Sequence, residues 1–327
     1  MTRIACSIPL DASGLSTGHL AVPFSDDAHA YAVIPVPIAV LSGRPGPTVL
    51  LTAGVHGDEY EGPIALHKLI HALDPATLAG RLIVLPALNL PAARAARRTS
   101  PVDGANMNRA FPGSPDGGPT AMIAHYVETV LLPRCQAAID LHSGGRAADY
   151  LPCAYVYEGG PMDAAKRAMA DAFAAPVAVM VGPTAETRSL SAAYERASVP
   201  GIAAELGGGG FVSTAALAIA ESGLRGVLRH LRLIPPEPGD GSRRTTRLRI
   251  PGRDHHTMCP AAGLFEPLIA LGDTVEPGTL AGYLHDPEDL AAVPVPIAFA
   301  RAGRVVIRRL PAMARRGDTL FTTAVPA

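Results

Sequence analysis

The segment Gly54-Val-His56-Gly-Asp-Glu59-Tyr-Glu61-Gly is the first stretch of the chain able to do chemistry. His56 and Glu59 stand three residues apart across a glycine turn, so an imidazole and a carboxylate can point at one cation. Zinc favours such nitrogen and oxygen ligands, and a catalytic zinc keeps three protein ligands plus a water. Asp140-Leu-His142-Ser-Gly-Gly145 offers the third ligand in His142, with glycines that leave space beside it. Asp140 lies two residues earlier, on the same face of an extended strand, where a carboxylate can orient a ligating imidazole. A lone His-x-x-Glu recurs by chance, and a lone histidine is more often a satisfied core or loop residue. Their joint occurrence, each at the end of an apolar run, is what points to a metal site.

Two further constellations suit hydrolysis. Arg98 to Gly113 (RTSPVDGANMNRAFPG) is a long Gly/Pro-rich loop with an arginine near each end, Arg98 and Arg109. Arginine binds carboxylates bidentately and can polarise a carbonyl oxygen, although a loop arginine can equally be solvated. Glu205 ends the apolar run Gly201-Ile-Ala-Ala-Glu-Leu206 and precedes Gly207–Gly210. A carboxylate so placed is poorly solvated, which raises its pKa towards the range of a general base. The glycine run lacks the Lys-Ser/Thr of a phosphate-binding loop. Gly14-Leu-Ser16-Thr-Gly18 fits the spacing of a serine-nucleophile turn but has no strand before it and no long helix after it. His67 and His71 share a helix face that reads as solvated or packed, and His125 reads as packing. His255-His256 reaches the site only if the C-terminal region folds over it.

The elements that must hold these residues alternate. Thr48–Ala53 is a short β-branched run of the buried parallel type. A helix is expected from about Pro63 to Leu73, with its proline in the first turn. Further strands are expected at 81–86, 137–141, 150–157, 177–181 and 201–206, and helices at 121–132, 162–173 and 214–233. This alternation predicts an α/β domain, a mostly parallel or mixed sheet with helices on both faces. The turn-rich segment Pro235–Ser242 reads as a hinge. It divides an α/β domain, 1–239, from a β-rich domain, 240–327.

Composition bounds the rest. The 327 residues are 48% hydrophobic and 17% charged, with a net charge of −1. That balance supports a large core and gives no global pull towards nucleic acid or anionic membranes. The low charge count is compatible with a homo-oligomer. No run of about 18 apolar residues is present to span a bilayer. Pro9 and Asp11 break the N-terminal apolar run too early for a secretory leader. The four scattered cysteines read as free thiols of a reducing compartment, and the expected location is the cytoplasm. Of the 28 basic residues, 26 are arginine; only Lys68 and Lys166 are lysine.

Taken together, these motifs resemble the succinylglutamate desuccinylase/aspartoacylase family, a branch of the zinc carboxypeptidase-like fold, over about Thr48 to Gly210. The loop 98–113 is most similar to the subgroup with N-acetyl-diaminobutyrate deacetylases. The resemblance implies one zinc per chain held by His56, Glu59 and His142, with Glu205 activating water and Arg98 polarising the scissile carbonyl. Asn108 and Arg109 match the family's Asn-Arg pair, which holds a substrate carboxylate. Asn106 departs from the family, where many members carry Asp. The implied activity is hydrolysis of a linear amide, releasing a short acyl group from a small-molecule N-acyl amino acid. A zinc carboxypeptidase acting on small peptides would use the same metal triad; a non-catalytic metal- or ligand-binding protein of the same fold is a further alternative, against which Glu205 beside a complete triad argues. Ala262–Gly282 looks like half of a biotinyl/lipoyl-type sandwich, but no lysine follows Lys166 to carry a swinging arm.

Overall fold

The computed structural model describes residues 2–183, 186–237 and 244–327. The expected boundary at 239/240, and most of the hinge, lie outside the described residues. The N-terminal part begins with β1 (Ala5–Cys6), β2 (Gly14–Phe24), β3 (Ala32–Ser42) and β4 (Arg44–Ala53). Helix α1 (Glu61–Ala72) leads into β5 (Ala79–Leu85), then α2 (Leu90–Arg94) and α3 (Pro119–Tyr126). The second half of the α/β region holds β6 (Ala137–His142), β7 (Ala148–Tyr150), β8 (Cys153–Tyr157), α4 (Asp163–Phe173), β9 (Val177–Val181), α5 (Leu190–Arg196), β10 (Gly201–Glu205) and α6 (Thr214–His230).

The central strands run β3-β5-β4-β6-β10-β8-β9. Pairs β5/β4, β4/β6, β6/β10 and β8/β9 are parallel, whereas β3/β5 and β10/β8 are antiparallel. Alternation along each strand divides the core in two. Val49, Leu51 and Ala53 face α1, α4 and α6 in one apolar layer. Leu50, Ile83 and Ala138 face α3 and α5 in the other. Helices therefore cover both faces, as buried parallel strands require.

Three expectations are corrected. The strand expected at 150–157 is two strands, β7 and β8, broken at Leu151-Pro152 because proline has no N–H for the ladder. The helix expected at 121–132 is α-helical only to Tyr126 and continues as a π-turn, Val127–Leu131, and a 3₁₀ turn, Leu132–Arg134. Pro133 lies in that last turn, where a regular helix would need its N–H. The helix expected at 214–233 ends at His230. The hairpin β2/β3, paired from Gly14↔Ser42 to Phe24↔Ala32, has no counterpart in the sequence reading. Its prolines obscure it. Pro35 and Pro37 occupy the stretch of β3 that β5 does not pair, where a missing N–H is tolerated. Ser16 lies inside β2, opposite Val40, with no strand-to-helix turn around it.

The C-terminal residues are β-rich throughout: β11 (Thr246–Arg249), β12 (His256–Met258), β13 (Gly263–Pro267), β14 (Thr274–Val275), β15 (Leu280–His285), β16 (Val295–Ala298), β17 (Gly303–Arg309), β18 (Met313–Ala314) and β19 (Thr319–Pro326). β16-β15-β13-β18 form a separate antiparallel sheet. The others extend the large sheet: β11 pairs in parallel with β9, β19 pairs with β11, and β17 pairs with β7. Among the described residues, no helix is long and apolar enough to cross a membrane.

Candidate active site

The chain leaves β4 towards β5 on one side, while β6 flanks β4 on the other. The crevice at the carboxyl ends of these strands is where an open α/β sheet binds ligands. Three adjacent parallel strand ends deliver the residues. His56 follows β4, His142 ends β6, and Glu205 ends β10 as the register partner of His142. The turn after β4 is fastened to the segment that begins α2: Leu88 N–H donates to Ala53 C=O and Asn89 N–H to Gly54 C=O. Gly54 needs its glycine for a φ of +64°. Gly57 needs it for space, because an added Cβ would lie 1.9 Å from the Ala92 carbonyl carbon. Gly57 N–H also donates to Arg97 C=O at 2.9 Å, which ties the Arg98 loop to the His56 turn.

His56, Glu59 and His142 are buried, and their ligand atoms lie within 4.8 Å of one another. Glu59 bridges the imidazoles: Oε1 is 2.7 Å from His56 Nδ1 and Oε2 is 3.0 Å from His142 Nδ1. Both histidines thus turn Nδ1 inwards. On the outer side, His142 Nε2 is 2.6 Å from Asp140 Oδ2, whose other oxygen accepts from Thr52 Oγ1. His56 Nε2 is 3.2 Å from Asn106 Oδ1. Two inward imidazole nitrogens, a carboxylate and outward hydrogen-bond acceptors match what a divalent metal needs of a protein site. Buried Glu59 and the neighbouring Asp140 add carboxylate oxygens that a cation would favour.

Arg98 reaches this group, with Nη1 3.4 Å from Glu59 Oε1. Asn108 and Arg109 form a 3₁₀ turn, Met107–Arg109, anchored by buried Met107 and Phe111. Asn108 Oδ1 accepts from Leu190 N–H at the start of α5, and Arg109 Nε is 2.9 Å from Glu186 Oε2. The seven residues singled out from sequence all line one cleft of about 710 Å³.

The electrostatics separate the two glutamates. Burial favours a neutral Glu59, but flanking His142 and His56 outweigh it and hold the pKa at about 2. Burial pushes Glu205 up to about 8 against the pull of His142, with Glu59 and Asp140 adding to the rise. Its Oε2 is enclosed and has no hydrogen-bond partner among the described residues. Burial opposes a charged His142, yet Asp140 and Glu59 raise its pKa well above the ordinary value. The Gly207–Gly210 run is engaged with the loop after β6: Gly144 and Tyr150 N–H both donate to Gly207 C=O, and Gly209 N–H donates to Gly145 C=O.

The cleft has walls that the sequence reading did not name as site residues: Tyr150, Tyr155, Tyr157, Glu186, Ser189 and His256. Tyr155 and Tyr157 are two apart on β8 and share a face, a spacing that was legible. The charge of Glu205, followed by burial, raises the pKa of Tyr150 well above normal. Of the His255-His256 pair, only His256 lines the cleft, with Nδ1 2.9 Å from Thr322 Oγ1. His255 is buried against Thr323. His67 and His71 are exposed on α1.

Residues 45–231 match the model of the succinylglutamate desuccinylase/aspartoacylase catalytic domain. The chain is 38% identical to an N-alpha-acetyl-L-2,4-diaminobutyric acid deacetylase of Halomonas elongata, covering 98% of this chain and 94% of that protein. Among solved structures, it is similar to the product-bound ectoine utilization protein EutE (DoeB) of Ruegeria pomeroyi. The TM-score there is 0.95 at 38% identity, over 99% of each chain. A succinylglutamate desuccinylase/aspartoacylase of Rhodobacter sphaeroides superposes with a TM-score of 0.95 at 35% identity, over 100% of this chain and 99% of the other. With the family domain spanning more than half its length and this degree of likeness end to end, the chain belongs to the succinylglutamate desuccinylase/aspartoacylase family.

Proposed function

We propose that the protein is a zinc-dependent amidohydrolase that releases a short acyl group from an N-acyl amino acid. Its enzyme class, hydrolysis of carbon–nitrogen bonds in linear amides, follows from the family. The observation that carries the finer reading is the convergence of the buried His56–Glu59–His142 group with Glu205 and Arg98 in one cleft.

His56, Glu59 and His142 would hold the ion, one per chain. When bound, zinc supplies a Lewis acid that lowers the pKa of a water towards ~7. Glu205 is the general base: it is buried beside the proposed ligands, where burial raises its pKa in the metal-free protein, and it takes a proton and then returns it. It removes a proton from the attacking water and passes it to the amine nitrogen as the C–N bond breaks. The products are a carboxylic acid and a free amino acid. Arg98 donates to the acyl oxygen as it gains negative charge. Asn108 and Arg109 hold the substrate carboxylate, with Glu186 orienting the guanidinium. A cleft of about 710 Å³ suits a small molecule. The name of the Halomonas relative makes N-acetyl-diaminobutyrate the first substrate to assay.

The test is a hydrolysis panel of N-acetyl, N-formyl and N-succinyl amino acids, with and without zinc and chelator. It includes acetyl-diaminobutyrate, acetylaspartate and succinylglutamate. Zinc-dependent release of a short acid from one of these is the expected result. Undiminished hydrolysis by rigorously metal-free protein would sink the metal reading.

A further inference from the structure

One oxygen atom joins the metal site to the substrate-holding turn. Asn106 Oδ1 lies 3.2 Å from His56 Nε2 and also accepts from the Asn108 backbone N–H at 2.9 Å. A backbone N–H can only donate, so the atom facing it must be the amide oxygen. That oxygen can only accept, so the proton it meets is carried on His56 Nε2. Nδ1 faces Glu59 at 2.7 Å and is the nitrogen that would turn to an ion seated there. The same side chain caps the 3₁₀ turn that presents Asn108 and Arg109. The other histidine has a different support: His142 Nε2 meets the Asp140 carboxylate. A neutral amide meets the His56 and Asn108 donors without adding another carboxylate beside buried Glu59 and Asp140.

We infer that Asn106 is a positioning residue that couples metal seating at His56 to the seating of Asn108 and Arg109 for the substrate carboxylate. The inference rests on the proposed reading of this site as metal- and carboxylate-binding, but two of its readouts are independent of turnover. The first is zinc affinity, measured by competition with a chromophoric chelator. Loss of a ligand's outer hydrogen bond weakens metal binding by about 10- to 100-fold. Asn106→Ala is expected to show that loss, and Asn106→Asp, which keeps both acceptor contacts, is expected to restore affinity to within a few-fold. The second is hydrogen exchange at the Asn108 amide, which should slow on zinc addition in the native protein and in Asn106→Asp but not in Asn106→Ala. The third is steady-state kinetics at saturating zinc, where Asn106→Ala should raise KM more than it lowers kcat. Melting curves of zinc-free protein establish that each variant folds; should Asn106→Ala fail, Asn106→Ser takes its place.

Unchanged zinc affinity in the folded Ala or Ser variant overturns the inference. So does weakened zinc binding with Asn108 exchange and KM both unaltered, since that would leave the two sites uncoupled. If zinc binds but no N-acyl amino acid is hydrolysed by the native protein, the proposed function fails. The affinity and exchange readouts then still decide the role of Asn106.

Discussion

At the scale of single residues, Glu205, as the proposed base, is what would distinguish an enzyme from a binding protein of the same fold. Glu205→Gln preserves shape and removes the proton acceptor, so about one zinc per chain should remain bound. Hydrolysis should fall by about 10²- to 10⁴-fold. Metal analysis beside a turnover assay checks both, and an active Gln variant would remove Glu205 from the chemistry. The same carboxyl makes a pH prediction for chelator-treated protein. Its folded pKa, about 8, lies above the unfolded value, so its neutral form favours folding at low pH. That contribution is complete below the unfolded pKa and is lost as pH rises through about 8. His142, also raised when folded, acts in the same direction. The melting midpoint should therefore drop by at least about 2 °C between pH 5 and 8.5. Glu205→Gln should flatten that slope, and an equal slope in the variant would refute the assignment.

At the scale of elements, the site depends on backbone passing close to backbone. The turn carrying His56 and Glu59 lies directly against α2 at Gly57, where the contacting atoms belong to the Ala92–Ala93 peptide and cannot rotate away. Gly57→Ala must therefore displace the turn or the helix, at a cost of about 1–3 kcal/mol, typical of overpacking. Because the displaced turn holds two of the three proposed ligand side chains, zinc affinity should fall together with thermal stability. Denaturant melts and chelator competition test this; a variant of native stability and affinity would show that the turn is plastic. Ser213→Ala provides a contrast. Ser213 caps α6 by accepting from Ala216 N–H, on the helix face of the sheet. Its loss should lower stability by about 1 kcal/mol and leave zinc affinity unchanged.

At the scale of the whole molecule, the C-terminal residues are woven into the sheet that carries the site. β11 lies against β9, and Leu248, Val306 and Ala324 share an apolar cluster with Tyr155, Val177 and Val179. Tyr150, on the cleft wall, belongs to β7, which pairs with β17 and is tied to it by Arg308–Asp149 at 3.0 Å. A chain ending at Glu237 would expose that cluster and the β9 edge. It should aggregate or melt at markedly lower temperature and show no measurable hydrolysis. Size-exclusion chromatography and thermal melts report the outcome; a monomeric, active fragment would show that the α/β part is self-sufficient.

His56, Glu59, His142 and Glu205 were legible in the sequence because each lies at or just past the end of an apolar run, with a glycine within two residues. Strand ends of a parallel sheet impose that pattern wherever a backbone must turn beside a ligand. His56, Glu59, His142 and Glu205 could be named on that ground, and the alternation of strands and helices made the α/β class legible with them. The hairpin β2/β3 was hidden by prolines tolerated at an unpaired edge, and the break at Pro152 inside an otherwise uniform run. The tertiary structure alone decided which acceptor holds each histidine, since Asn106 is 50 residues from His56 and no periodicity links them. It alone brought His256 and Glu186 to the cleft, and it alone showed how fully Glu205 is enclosed. Those outcomes depend on distance and burial, which arise only when distant segments pack.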